Sequence, residues 1–188
     1  MPTIATPRLL LRPFSARDLD DFAALNADPH VREFFPGVLE RTESDEGAKM
    51  YFDHWERHGF GRWTVEVPGV TSFAGVVGLM HTPFVAHFTP AVEIGWRFAR
   101  AYWGRGYAIE AARAACAHGF DTLGLSEIVA FTVPSNLRSR QLMTRLGMTY
   151  SPDEDFDNPR VPEGHPLRAH VLYRLTPASF LRSPGDTR

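Results

Sequence analysis

Hydrophobic and polar residues alternate through Val92-Glu93-Ile94-Gly95-Trp96-Arg97-Phe98, and the chain then passes through Tyr102-Trp103-Gly104-Arg105-Gly106-Tyr107-Ala108 into a long Ala-rich stretch. The alternation reads as a strand and the Ala-rich stretch as a helix. Two glycines between them supply the backbone freedom that a tight strand-to-helix turn requires. No acidic residue stands in the helix before Glu110. Its first turn therefore offers unpaired backbone N–H groups and the positive end of the helix dipole at one point. Such a point binds phosphate.

A chain of 188 residues suits one domain, and a domain of this size buries roughly 70% of its unfolded surface. Hydrophobic residues at 44% fit a globular fold, and a formal charge of −2 gives no field for nucleic acid, whose binding domains are markedly basic. Apart from Lys49 every cationic residue is Arg, which keeps its charge and its bidentate fork when partly buried. Cys116 is the single cysteine, so no intrachain disulfide forms and a reducing cytoplasm is the expected location. It shares a helical stripe with Ile109, Ala112 and Phe120, the setting of a packed thiol. With no basic leader before an apolar stretch, and no apolar run near the roughly 18 residues that cross a bilayer, neither a secretory signal nor a membrane partner is expected.

The order of elements is mixed. Residues 8–12 read as a strand ended by Pro13, and Ser15 N-caps a helix with Leu19, Phe22 and Ala23 on one face. A second helix is expected from near Ser44, with Ala48, Tyr51, Phe52 and Trp55 on one stripe and Gly59 as its stop. Residues 62–67 and 73–80 form a hairpin through Pro68-Gly69, and 91–98 is the next strand. A helix over 105–123, a strand over 127–133, a helix over 136–146 closed by Gly147, and a strand over 171–175 follow. Residues 151–166, with four prolines and several acids, read as a long loop, and Ser183 onward as a frayed tail.

Nucleotide motifs do not fit. A P-loop needs Gly-Lys-Ser/Thr where Gly106 is followed by Tyr107, and a dinucleotide fingerprint needs a small residue where Ile109 stands. Further along, Asn136-Leu137-Arg138-Ser139 opens the later helix, with Asn136 and Ser139 on one face of its first turn. Together the two segments resemble the acyl-CoA cradle of the GNAT acetyltransferases. The family's pattern (Gln or Arg, two residues, Gly, one residue, Gly or Ala) maps onto Trp103, Gly106 and Ala108, with Trp103 in place of Gln or Arg. That form is the one of the branch resembling ribosomal-protein N-terminal acetyltransferases. The resemblance implies one α/β (α+β) domain over residues 6–176, its mixed and mostly antiparallel central sheet flanked by helices, with 177–188 as a C-terminal tail. It implies acetyl-CoA as co-substrate and no metal. Phe98, Trp103, Gly104, Arg105, Gly106, Tyr107 and Ala108 would hold the cofactor, with the backbone amides of 104–108 on its pyrophosphate. Asn136 would bond the pantetheine arm, Ser139 would sit near the thioester sulfur, and Arg140 would reach the phosphates.

Acetyl transfer to an amine needs a neutral amine, a stabilised oxyanion and a protonated leaving thiolate. Strand alternation puts Glu93, Gly95 and Arg97 on one face, where Gly95 leaves room for an acetyl group or a water. The resemblance makes Glu93 the base, directly or through water, and Ser139 the proton donor to the thiolate. A backbone N–H late in the 91–98 strand is the expected oxyanion donor, and His81 is the competing base. His54 and His58 share a helix face, but Trp55 stands where a metalloprotease motif has Glu, and no third ligand is evident.

In folds of this kind the acceptor enters between the early helices and the last hairpin. Here that involves Phe34, Phe35, Trp55 and Trp63, with residues 153–170 opposite, although its stripe favours a core position for Trp55. The acidic run Asp153-Glu154-Asp155 and Asp157 reads as a solvated loop. The expected reaction is transfer of acetyl from acetyl-CoA to a primary amine, a protein N-terminus or a small molecule, by direct attack in a ternary complex. Free amino acids, polyamines and amine antibiotics are all compatible. The rival readings are a non-catalytic acyl-CoA-binding or sensing module, and an acyltransferase using succinyl-CoA, whose extra carboxylate Arg97 or Arg62 would pair. The aromatic surface permits a homodimer.

Overall fold

The computed structural model describes residues 2–181, so the tail expected from Ser183 lies outside the described residues. Among the described residues nine strands form the sheet: β1 (Ile4–Ala5), β2 (Leu10–Pro13), β3 (Arg62–Val67), β4 (Thr71–His81), β5 (Val92–Phe98), β6 (Ile128–Thr132), β7 (Thr149–Tyr150), β8 (Phe156–Asp157) and β9 (Ala169–Leu175). Their order is β1-β2-β3-β4-β5-β6-β9-β7, with β8 also on β9. Every pairing is antiparallel except that of β5 with β6. The helices are α1 (Leu19–Ala27), α2 (Arg41–His58), α3 (Tyr107–Asp121), α4 (Leu137–Arg145) and α5 (Pro177–Leu181). No described helix is long and apolar enough to cross a membrane.

Consecutive residues of β4 point to opposite sides and seed different cores. Val77 and Leu79 join Ile94 against Ile109, Ala112, Ala115 and Cys116 of α3, with Met143 and Leu146 of α4 on the same side. Val76 joins Phe73 against Phe22 and Leu25 of α1 and Ala48 and Tyr51 of α2. A third cluster, Phe88, Val129 and Leu172 with Phe131 and Phe156, covers the C-terminal half of the face that α1 and α2 leave open. Cys116 is fully buried, and burial pushes its thiol up to about 12, so it is packing and not a nucleophile.

α2 begins one turn earlier than Ser44. The Glu40 N–H donates to the Glu43 carboxylate at 2.8 Å, which starts the helix at Arg41. Ser44 is instead buried and its hydroxyl accepts from Asn26 Nδ2 at 2.8 Å, tying α2 to α1. The elements that escape sequence reading are β1, β7, β8 and α5, each too short to show a period. α5 carries Phe180 onto Phe120 with ring centres 5.5 Å apart, so residues 177–181 pack on the domain.

Asp18 joins β2, β3 and the entrance of α1. Its side chain is 2% exposed and meets Arg12 at 2.6 Å, the Ser15 N–H at 2.8 Å and the Thr64 hydroxyl at 3.0 Å. Burial opposes the charged form, but these hydrogen bonds outweigh it and hold the carboxyl below the usual carboxylate range. A lowered folded pKa stabilises the fold above the unfolded value, and the benefit is lost as pH falls through the folded one. Asp18→Asn should cost about 2–3 kcal/mol at neutral pH, because buried Arg12 loses its bidentate partner and keeps only Glu66, at 3.1 Å, as counter-charge. Urea unfolding would measure this, and the gap to wild type should narrow below about pH 4. A difference under about 1 kcal/mol at pH 7, the size of an exposed pair, would contradict it.

Candidate active site

β5 and β6 are paired at one position, Glu93 with Val129. Beyond it β5 continues to Phe98 with β4 as partner, and β6 continues to Thr132 with β9. Parallel strands that part in this way leave backbone N–H and C=O groups on facing edges without a ladder partner. α3 follows β5 and α4 follows β6, so both helix N-termini lie at the open end of the slot. An elongated chain of amides ending in phosphates fits such a slot.

The glycine turn at that end is built for close approach. Gly104 (φ +71°) and Gly106 (φ +78°) occupy the left-handed region, and Gly106 caps α3 without a side-chain bond, leaving the first-turn N–H groups for a ligand. Glu110 in that turn would oppose a phosphate, but it is tied down. It accepts from Thr6 Oγ1 at 2.6 Å, the Arg8 N–H at 2.9 Å and Arg8 Nε at 2.6 Å. Arg8 also donates to the Arg105 carbonyl at 3.0 Å and lies 5.1 Å from the centre of the Tyr107 ring. A Cβ at Gly106 would stand 3.2 Å from Arg8 Nη2, so the guanidinium borders the turn. Trp103 donates from Nε1 to the Phe98 carbonyl at 2.7 Å and carries Arg138 over its ring at 4.6 Å. Trp103, Gly104, Arg105, Gly106, Tyr107 and Ala108 thus form one turn into α3 whose free amides fit an acyl-CoA, whereas Phe98 ends β5 with its side chain in the core and its carbonyl held by Trp103.

At the start of α4, Asn136 Oδ1 accepts the Ser139 N–H at 3.2 Å, while its Nδ2 donates to Thr132 Oγ1 at 3.0 Å. Asn136 therefore acts as an N-cap here. The Ser139 side chain is half-buried. Arg140, rotated about 100° further round the helix, donates to Tyr173 Oη at 3.2 Å and the Pro134 carbonyl at 3.1 Å. These contacts lie with β9 and the β6–α4 turn, and the glycine turn is reached by Arg138 instead. Arg138 also pairs with Glu33 at 2.6 Å, spanning to the loop between α1 and α2.

Glu93 stands at the apex of the slot, opposite Met80 on β4 and Val129 on β6. The space that Gly95 opens is occupied by Arg62, whose Cζ would lie 2.7 Å from a Cβ at position 95. Arg62, Gly78 and Gly95 are in register across three strands; Gly95 leaves the space the guanidinium fills, while a Cβ at Gly78 would strike the backbone of β3 at Gly61 and Arg62. Arg62 Nη2 ends 3.7 Å from Glu93 Oε1, with side chains 11% and 20% exposed. Burial raises the Glu93 pKa, and Arg62 and Arg160 only partly counter it. A carboxylate so placed can take a proton from an ammonium group, and the neighbouring arginines favour the neutral amine.

The competing base, His81, ends β4 in a cluster with His54, His58 and Phe60, ring centres 4.5 to 5.7 Å away. Burial and the charge of His58 lower its pKa. His54 accepts the His81 N–H at Nε2 (3.0 Å), so its Nδ1 carries the proton given to the Phe60 carbonyl at 2.7 Å. Both ring nitrogens of His54 thus serve the backbone, and no group of metal-ligating residues is assembled among the described residues.

Of the acceptor-side aromatics, Phe35 is exposed and Phe34 lies near Arg138, 5.8 Å from its guanidinium. Trp55 and Trp63 are core. Trp63 follows Arg62 on the strand and so points to the α3 side, where it meets His118 at 5.4 Å. The acids of the 151–166 segment are structural in part: Glu154 pairs with Arg174 at 2.6 Å and Asp157 with Arg168 at 3.2 Å.

The family described as "Acetyltransferase (GNAT) domain" matches residues 8–149. FsC-acetyl coenzyme A-N(2)-transacetylase of Aspergillus fumigatus is 31% identical over 100% of this chain and 82% of its own length. An acetyltransferase structure from Agrobacterium tumefaciens aligns with a TM-score of 0.76 at 27% identity, covering 93% of this chain and 94% of that one. Mycobacterium smegmatis RimJ, solved in complex with CoA-disulfide, shares the fold with a TM-score of 0.73 at 23% identity, over 93% and 85% of the two chains. Slot, glycine turn and family match converge, and the chain belongs to the GNAT acetyltransferase family.

Proposed function

We propose that the protein is a cytoplasmic enzyme, in the branch resembling ribosomal-protein N-terminal acetyltransferases, that transfers acetyl from acetyl-CoA to a primary amine by direct attack in a ternary complex. The observation that carries the reading is the position of Glu93, a carboxylate of raised pKa at the point where β5 and β6 part. Acetyl-CoA, when bound, supplies an acetyl group already activated as a thioester. The amides of the turn from Gly104 to Ala108 and the first turn of α3 would hold its pyrophosphate, with Arg8 cancelling Glu110. Glu93 takes the proton from the incoming ammonium, and Arg62 fixes the carboxylate in place. An unpaired N–H of β5 beyond Glu93 stabilises the developing oxyanion, and the Ser139 hydroxyl gives its proton to the departing thiolate, whose pKa is near about 8.5. A purely sensing module would have no use for a half-buried carboxylate of raised pKa at the apex of the slot.

Glu93→Gln should lower kcat by roughly 10²–10⁴ with acetyl-CoA affinity nearly unchanged, since the amide cannot accept a proton. Wild-type-like turnover would remove Glu93 as the base. Because the base works only when ionised, wild-type kcat/KM should fall with decreasing pH through a value above the usual carboxylate range, and this limb should vanish in the variant. Ser139→Ala should cost less than Glu93→Gln, because water replaces a hydroxyl donor; an unchanged rate would make Ser139 structural. Gly106→Val and Arg8→Ala should each weaken acetyl-CoA binding, the second by roughly tenfold. Calorimetric titration with native-like affinity in both would contradict the cradle.

A further inference from the structure

The cleft beside Glu93 holds more positive charge than the proton transfer uses. Two arginines beyond Arg62 and Arg160, Arg97 and Arg32, meet at Phe35, their guanidinium carbons 5.5 and 4.5 Å from the ring centre. Arg97 lies on the same face of β5 as Glu93, about 13 Å further along the strand. It donates to Asn26 Oδ1 and to Tyr51 Oη, both neutral groups. Arg32, half-buried, donates from Nε to the Gly37 carbonyl at 2.7 Å. Among the described residues neither forms an ion pair. The two terminal nitrogens of Arg32, the fork that matches a carboxylate in a bidentate pair, have no hydrogen-bonded protein acceptor there.

Like charges held this close disfavour each other. Burial, then the charge of Arg97, push Arg32 down to about 10, while Glu43 and Tyr51 act weakly in the other direction. Glu43 is engaged with the Glu40 N–H at the start of α2. A second anion shared by Arg32 and Arg97 would relieve the repulsion, and a carboxylate has the shape for it.

Resting on the transferase reading above, we infer that Arg32 and Arg97 bind a carboxylate of the acceptor, so that the substrate is an amine carrying a carboxylate several bonds from the reacting nitrogen. An ω-amino acid or a short peptide with a free N-terminus has this form. An α-amino acid, with both groups on one carbon, is too short to span from Glu93 to Arg97, and a polyamine brings positive charge into a positive cleft.

The test uses wild type and Arg32→Gln with acetyl-CoA and ω-amino carboxylates of increasing length, each beside its carboxamide and the diamine of equal length. Carboxylates should exceed carboxamides in kcat/KM by roughly ten- to hundredfold once the chain is long enough, and the ratio should collapse toward one in the variant. Equal or better use of carboxamides or diamines, or a ratio that Arg32→Gln leaves intact, would overturn the inference. A second arm replaces acetyl-CoA with succinyl-CoA on a neutral amine. A succinyl preference that the variant abolishes would place the carboxylate on the acyl donor and overturn the acceptor assignment. If no acceptor releases thiol, the transferase reading itself fails. Calorimetry with CoA present then reads the arginine pair directly. N-acetylated ω-amino carboxylates binding better than their amides, and losing that advantage in Arg32→Gln, would support it; equal binding would refute it.

Discussion

One parallel strand pair, joined at Glu93 and Val129 and then released, is the constraint on which the site depends. α3 and α4 both pack into the same core behind the slot, and their N-termini open at its mouth. Gly119 lets α3 come close at the joined end, since a Cβ there would stand 2.8 Å from Leu79 and 3.0 Å from Ile128. The slot is therefore a product of core packing, and its unpaired backbone groups are tolerated because a ligand can satisfy them.

The second governing interaction is electrostatic. Arg62 reaches Glu93 because Gly95 removes the side chain that would stand in its guanidinium's place, and Gly78 lets β3 and β4 approach closely behind it. The pair sits 3.7 Å apart, close enough to orient the carboxylate but too far for a tight hydrogen-bonded ion pair, and burial prevails in setting the pKa direction. A base at this position needs both effects: enough positive charge to disfavour an ammonium, and enough burial to keep the carboxylate basic. Arg8 and Glu110 play the parallel role at the phosphate end, where a carboxylate that would repel the ligand is neutralised by its neighbour.

The sequence made the strand-turn-helix around Gly104 and Gly106 legible because glycine, alternation and helical period are local signals. Glu93 was placed on the correct face by alternation alone. An arginine partner for Glu93, Arg97 or another, is a reading the sequence allows, but that it is Arg62, filling the space beside Gly95, depends on a contact from β3 to β5 that no local pattern shows. A hairpin register with Gly78 facing Arg62 carries that signal, though only once strand pairing is known. Trp63 looked like part of the cleft and is core, since its parity opposes that of Arg62. The Arg8–Glu110 contact joins residues far apart in sequence, and no local pattern announces it. Asn136 and Ser139 fell on one helix turn as their spacing implies, while Arg140 turned to Tyr173, a partner set by β9.

The central claim is that this site moves acetyl groups onto amines. The most direct measurement is free-thiol release from acetyl-CoA by the wild-type protein across primary amines, including short peptides with free N-termini. Release that depends on the acceptor and saturates with it, accompanied by a product one acetyl group heavier, is the expected result. Saturable acetyl-CoA binding with no acceptor-dependent release across the panel would contradict it.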